Sequence, residues 1–214
     1  MTAESIPLDR AVRILRRRDP VLRTIISQVG PCPLKPLRHY HWALAEAIVS
    51  QQLSVAAAAT IFKRLRRLYP QHRIPRPQDL LSTPDQRLRA VGLSRQKIAY
   101  LKVLSRAFLD GVLPWRRFHR MSDDEVIVAL TALHGIGRWT AEMFLIFVLV
   151  RLDVFPVDDL GLQKAIQRAY GLRHHPSTAT MHRIAKRWAP YRTVATWYLW
   201  ASRDGKPVVY GDEN

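Results

Sequence analysis

"LHGIGRWTAEMF", residues 133–144, sets two glycines, an arginine and a tryptophan between two strongly helical apolar stretches. Upstream, "MSDDEVIVALTAL" begins with Ser122 and, three residues on, Glu125, the pattern of a capping box that opens a helix. Downstream, "MFLIFVLV" carries a helix that is apolar all round. Only "HGIG" remains for the turn, so the stretch reads as a tight helix-hairpin-helix over residues 126–150. Gly135 and Gly137 let the backbone come close to a ligand, and the first N–H groups of the second helix point outward at its positive dipole end, which suits a phosphate. A glycine-containing αα-hairpin with no ligand is the other reading of these residues taken alone.

The charge weighs in favour of the phosphate. Thirty-four Lys and Arg against 17 Asp and Glu leave a net +17 on 214 residues. A polyanion is the expected partner of such an excess. The basic residues are spread over many segments instead of forming one amphipathic anchor, and no apolar run approaches the length of a bilayer span, so no membrane role is expected. The start, "MTAESIPLDRAVRILRRRDP", has no apolar core region and carries Glu4 and Asp9. It resembles neither a secretory signal nor a transit peptide, and a cytoplasmic setting (bacterial cytosol or nucleoid) is the default expectation. The single cysteine, Cys32, excludes an internal disulfide, a cysteine-based zinc site and a four-cysteine iron-sulfur cluster, and reads as a small buried residue. No histidine pair with acidic support suggests a metal, so neither metal nor cofactor is expected.

Along the chain, helical signals recur with their caps and strand signals are nearly absent. Leu8, Ala11, Val12, Ile14 and Leu15 trace one apolar face before Asp19-Pro20 ends that helix and starts "VLRTIISQVG". "HYHWALAEAIVSQQLSVAAAATIFKRLRRLYP" reads as two helices broken at "SQQLS", with Ser54 capping the second. Thr83 with Gln86 forms a capping box before a stop at Gly92; Ser94 and Gly111 bound the next helix. After the hairpin come the linker "DVFPVDD", a helix from about Leu160 to Tyr170, and two last helices around "MHRIAKRWA" and "YRTVATWYLWAS"; the tail "GKPVVYGDEN" reads as loosely held. The expected fold is all-α, about ten helices in two lobes: a central lobe over 36–149 carrying the hairpin, and a second built from 1–35 plus 150–214.

The hairpin followed by "DVFPVDDLGLQKA" resembles the helix-hairpin-helix base-excision DNA glycosylases, and within them the 3-methyladenine DNA glycosylase II branch. "AIVSQQLSVAAAA", "GLSRQKIAYL" and "RWAPYRTVATWYLW" are similar to that branch as well, so the resemblance runs from about His39 to Trp200. It implies two α-helical lobes with the active cleft between them. The additional amino-terminal β domain of some members is not expected in these 214 residues. His134 stands where the family usually has proline before the first glycine.

Read alone, the aspartates of "VDD" are better explained by helix capping than by chemistry. The resemblance puts the catalytic carboxylate on Asp159 and leaves Asp158 as a cap or solvated neighbour. The implied reaction is hydrolysis of an N-glycosidic bond through an oxocarbenium-like sugar, stabilised by the Asp159 carboxylate, with an alkylated and already cationic purine such as 3-methyladenine or 7-methylguanine as leaving group. Lyase relatives carry a lysine where this chain has Trp139, so the resemblance implies a monofunctional enzyme. The nucleotide must be flipped out of double-stranded DNA into a pocket, which the resemblance assigns to Trp139 and Trp200, with Met143 and Leu160 where some relatives have tyrosines. Gln52 falls at the wedge position of the "SQQLS" break. The expected DNA-binding set is Gly135, Ile136, Gly137, Arg138, Thr140, Gln52, Ser54 and Lys97, with Arg95 and Lys164 as further phosphate candidates. A monomer is the default for an enzyme gripping one duplex site. The competing readings are a glycosylase of the same fold acting on uracil or hypoxanthine, and a non-catalytic DNA-binding protein that uses the hairpin as a phosphate grip.

Overall fold

The computed structural model describes residues 8–72 and 74–204, so the amino-terminal seven residues and the tail 205–214, read above as loosely held, lie outside it. Among the described residues there are twelve α-helices and no strand. They are α1 (Leu8–Arg18), α2 (Pro20–Val29), α3 (Tyr40–Ser50), α4 (Val55–Arg67), α5 (Pro77–Ser82), α6 (Asp85–Ala90), α7 (Arg95–Leu109), α8 (Asp123–Thr131), α9 (Arg138–Phe147), α10 (Leu160–Ala169), α11 (Thr178–Ala185) and α12 (Arg192–Asp204). Two 3₁₀ turns, Trp115–Arg120 and Lys186–Trp188, supplement them.

Local chemistry accounts for most helix starts. Ser54, Ser94 and Ser122 each accept from the backbone N–H three residues on, at 3.2–3.3 Å, and Glu125 returns the bond to the Ser122 N–H at 2.7 Å. Each satisfies an N–H that the helix itself leaves without an acceptor. Thr83 behaves differently from the reading above. Pro84, whose ring offers no acceptor, is the N-cap of α6, and the Thr83 hydroxyl is committed instead to the Asp79 carbonyl (2.7 Å) and the Tyr69 hydroxyl (2.8 Å). A tertiary partner has outcompeted the local cap. Helix α5 and the 3₁₀ turn at 115–120 carried no clear sequence signal, being only six residues each.

The described residues divide into two compact units, 8–36 with 145–204 and 37–144. In the first, α12 is the hub, packing on α1, α2 and α10. Val194 to Leu199 have no exposed surface, which makes α12 a core helix buried on every side. In the second, α7 is the hub, packing on α3, α5 and α6. The division falls within α9, between Phe144 and Leu145.

Candidate active site and nucleic-acid interface

In the first unit, the linker between α9 and α10 is pinned to the first turn of α12. Arg192 forms a bidentate pair with Asp153 (Nε–Oδ1 2.8 Å, Nη2–Oδ2 2.7 Å). The Thr193 N–H donates to the Leu152 carbonyl at 3.0 Å, and its hydroxyl accepts from the Val154 N–H at 2.9 Å. Satisfying buried backbone groups from a rigid helix fixes an otherwise irregular segment. The chain then turns at 156–159, where the Asp159 N–H donates to the Pro156 carbonyl, and enters α10 with Asp159 as N-cap.

Asp159 Oδ1 accepts from the Leu162 N–H at 2.5 Å and from the Trp200 indole N–H at 2.9 Å. The capping reading and the catalytic reading thus fall on one residue: the cap fixes the carboxylate, and the indole from α12 fixes its orientation. Both donors, with the positive end of α10, compensate negative charge on this oxygen. Trp200 is only 8% exposed and stacks on Phe147 (5.7 Å between rings, 20° between planes). Leu160, beside the carboxylate in sequence, is 57% exposed.

The second unit holds the hairpin. Helix α8 ends at Thr131, the Ile136 N–H closes the turn onto the Leu133 carbonyl at 3.1 Å, and α9 starts at Arg138. The Ala141 N–H donates to the Gly137 carbonyl at 3.1 Å as α9 begins. The two glycines differ in function. Gly135 has φ +96°, and a Cβ there would lie 2.2 Å from the Tyr100 ring. What comes close at Gly135 is therefore Tyr100 of α7, with His134 edge-on to the same ring at 5.0 Å. Gly137 lies outside the left-handed region and has open space around its missing side chain, so it is the glycine that leaves the backbone approachable.

The other expected DNA contacts sort by what their side chains already hold. Thr140 (4% exposed) and Ile136 are both buried. Arg138 Nε pairs with Glu142 at 3.0 Å while most of its side chain stays exposed. Ser54 is the cap of α4. Lys97, read as a phosphate contact, donates its ammonium to the carbonyls of Val49 (2.6 Å) and Gln51 (2.8 Å), where it closes the carboxyl end of α3; partial burial lowers its pKa. Gln52 is exposed with φ +57°, a conformation uncommon for a residue with a side chain, and Leu53 beside it is also exposed. Trp139, in the first turn of α9, is 44% exposed, whereas Met143 one turn on is buried.

Gln51 was missed by the sequence reading. Its side-chain amide donates to the Gly135 carbonyl at 2.9 Å, tying the loop that carries Gln52 to the hairpin turn. Nothing in the local pattern separates Gln51 from Gln52; only the 84-residue contact does.

Residues 45–190 match the family model of the HhH-GPD superfamily base excision DNA repair proteins. The chain belongs to that superfamily. Among HhH-GPD proteins it lies in the 3-methyladenine glycosylase branch. It is 32% identical to the alkylbase DNA glycosidase-like protein mag2 of Schizosaccharomyces pombe, over 89% of this chain and 92% of that one. It is 38% identical to DNA-3-methyladenine glycosylase 1 of the same yeast, over 73% and 69% of the two chains. A solved structure of S. pombe 3-methyladenine DNA glycosylase (Mag1) in complex with abasic DNA superposes with a TM-score of 0.79 at 34% identity, covering 90% of this chain and 95% of that one. Among the described residues no group of three His, Cys, Asp or Glu could hold a metal, and no helix is long and apolar enough to cross a membrane.

Proposed function

We propose that this HhH-GPD protein is a monofunctional DNA glycosylase that removes cationic alkylated purines from duplex DNA. The observation that carries the reading is the Asp159 carboxylate, held at the start of α10 by the Leu162 and Trp200 N–H groups. A carboxylate fixed in this way needs no reorganisation when positive charge develops on the sugar, so its stabilisation is available in full at the transition state. A purine alkylated on a ring nitrogen already carries the charge that a general acid would otherwise have to supply. One anion therefore suffices.

The hairpin supplies the grip on the duplex: Gly137 with its open flank, the first N–H groups of α9 and the exposed Arg138 bind the phosphate backbone. Gln52, on its strained and exposed loop, fills the gap left in the stack. Leu160, exposed next to Asp159 in sequence, is offered to the extruded base, while the exposed Trp139 has a face that suits a cationic ring. Trp200 serves the carboxylate, to which its indole N–H donates. Trp139 also stands where a lyase needs its amine, so no Schiff base forms and the abasic product is left intact.

The test is release of free base from duplex DNA methylated at purine nitrogens, measured chromatographically for the natural protein and for Asp159→Asn. The expected result is release of 3-methyladenine or 7-methylguanine by the natural protein only, with strand breaks appearing after alkali and no adduct trapped by borohydride. Release from uracil- or hypoxanthine-containing duplexes instead would keep the mechanism and change the substrate. Binding without release from any of these duplexes would overturn the catalytic reading.

A further inference from the structure

Gly161 is the second residue of α10, where alanine is the better helix former, and its backbone lies outside the left-handed region that would demand glycine. The helix therefore gives no reason for it. Its surroundings do. A Cβ at Gly161 would sit 3.0 Å from Asp159 Oδ1, inside ordinary van der Waals contact, and 3.5 Å from both Trp200 Nε1 and Arg203 Nη1. Oδ1 is the oxygen that accepts from both Leu162 N–H and Trp200 Nε1–H, so the missing side chain leaves room for that pair of bonds. Arg203 reaches the same spot, its Nη1–H donating to the Gly161 carbonyl at 3.2 Å.

We propose that Gly161 is a positioning residue for the Asp159 carboxylate: its lack of a side chain lets Oδ1 stand where the Leu162 amide and the Trp200 indole both reach it. Any Cβ displaces Oδ1 by a few tenths of an ångström and breaks or lengthens the indole bond. This rests on the catalytic reading of Asp159 proposed above for its effect on rate, but the geometry itself can be read without turnover.

The experiment compares the natural protein with Gly161→Ala, Trp200→Phe, the double variant and Asp159→Asn. Four quantities are measured: single-turnover base release from alkylated duplex, affinity for duplex carrying a tetrahydrofuran abasic analogue, thermal midpoint, and the Trp200 indole ¹H–¹⁵N resonance, assigned by its loss in Trp200→Phe. Gly161→Ala is expected to slow release about tenfold or more, as small misplacements of reacting groups do. Its analogue affinity should be unchanged, its thermal midpoint equal or higher because alanine favours the helix, and its indole resonance shifted. The double variant should be no slower than the slower single one, since both changes act through one bond. A natural release rate and an unmoved indole in Gly161→Ala, with Asp159→Asn inactive, overturn the positioning role alone. A slowed rate that comes with lost affinity and a lowered midpoint also overturns it, since that is general damage. Should Asp159→Asn release bases normally, the catalytic reading falls, and a shifted or unshifted indole still decides whether Gly161 makes room for the bond.

Discussion

The Gln51 side-chain amide donates to the Gly135 carbonyl at 2.9 Å, joining a loop between two helices to a hairpin turn 84 residues further along. Lys97 completes the joint by donating to the carbonyl of Gln51 itself. The loop that carries Gln52 is thus tied to the turn through its neighbour Gln51. Gln51→Ala should cost about 1 kcal/mol in urea unfolding, the typical worth of one hydrogen bond. Its larger effect should be on release of a paired alkylated base, slowed about tenfold while affinity for undamaged duplex stays the same. Gln51→Glu should be no better, because a carboxylate cannot donate to a carbonyl.

The indole of Trp200 touches Asp159 through one N–H and Phe147 through its face. Trp200→Phe keeps an aromatic face and deletes the donor. Base release should fall by about ten- to a hundredfold, nearer the low end of what removing one preorganised donor costs, since the Leu162 amide remains. An unchanged rate in a stopped-flow or quench experiment would mean that the indole only packs.

Gly135 and Gly137 look alike in the motif and should respond differently to the same change. Gly135→Ala combines a left-handed backbone with a 2.2 Å clash on the Tyr100 ring and should destabilise by about 3 kcal/mol or more in urea. Adding Tyr100→Ala should restore part of this. Gly137→Ala meets nothing within 4 Å and should leave stability within about 1 kcal/mol of the natural protein, while weakening DNA binding and lowering its salt slope.

Asp19 is a fully buried carboxylate with a donor at every side: Val21 N–H (2.9 Å) and Leu22 N–H (3.2 Å) on Oδ1, Tyr170 O–H (2.6 Å) and Trp188 Nε1–H (2.9 Å) on Oδ2. Burial, with this bond to Asp19, pushes the Tyr170 phenol well above its ordinary range, so it stays a donor. Asp19→Asn turns an amide N–H₂ toward the indole donor and should cost about 3 kcal/mol in urea unfolding. Asp19→Ser, which retains the α2 cap and loses the Oδ2 bonds, should cost a similar amount if those two bonds dominate.

His41 is buried in α3. Its Nε2–H donates to Ser105 Oγ at 3.0 Å, because the Ser105 hydrogen is spent on the Leu101 carbonyl at 2.7 Å. Its Nδ1 has no partner. Desolvation lowers its pKa from 6.5 to about 4, slightly opposed by the charge of Asp79. The unfolded chain thus binds the proton more readily. The associated stability is fully present above pH 6.5, is lost as pH falls toward 4, and amounts to about 3 kcal/mol. His41→Gln should flatten the fall in urea stability over that window; an unchanged slope would place the acid sensitivity elsewhere.

The sequence alone determined the helical class and most helix starts, because those depend on side chains reaching backbone groups three residues away. Ser54, Ser94 and Ser122 with Glu125 all cap as their local pattern requires, whereas α10 takes Asp159 as its cap and not Asp158. The hairpin was legible for the same reason: too few residues remained between two helices for any other turn. What only the tertiary structure decided is which of several chemically equivalent groups is used. The Thr83 hydroxyl accepts from Tyr69, Lys97 gives its ammonium to the end of α3, and Gln51, not Gln52, reaches the hairpin. Asp159 receives its second donor from Trp200, 41 residues away. Each of these choices is a hydrogen bond between segments remote in the chain. Burial removes water as the competing partner, so the group that packing brings within reach wins over the one that sequence proximity favours.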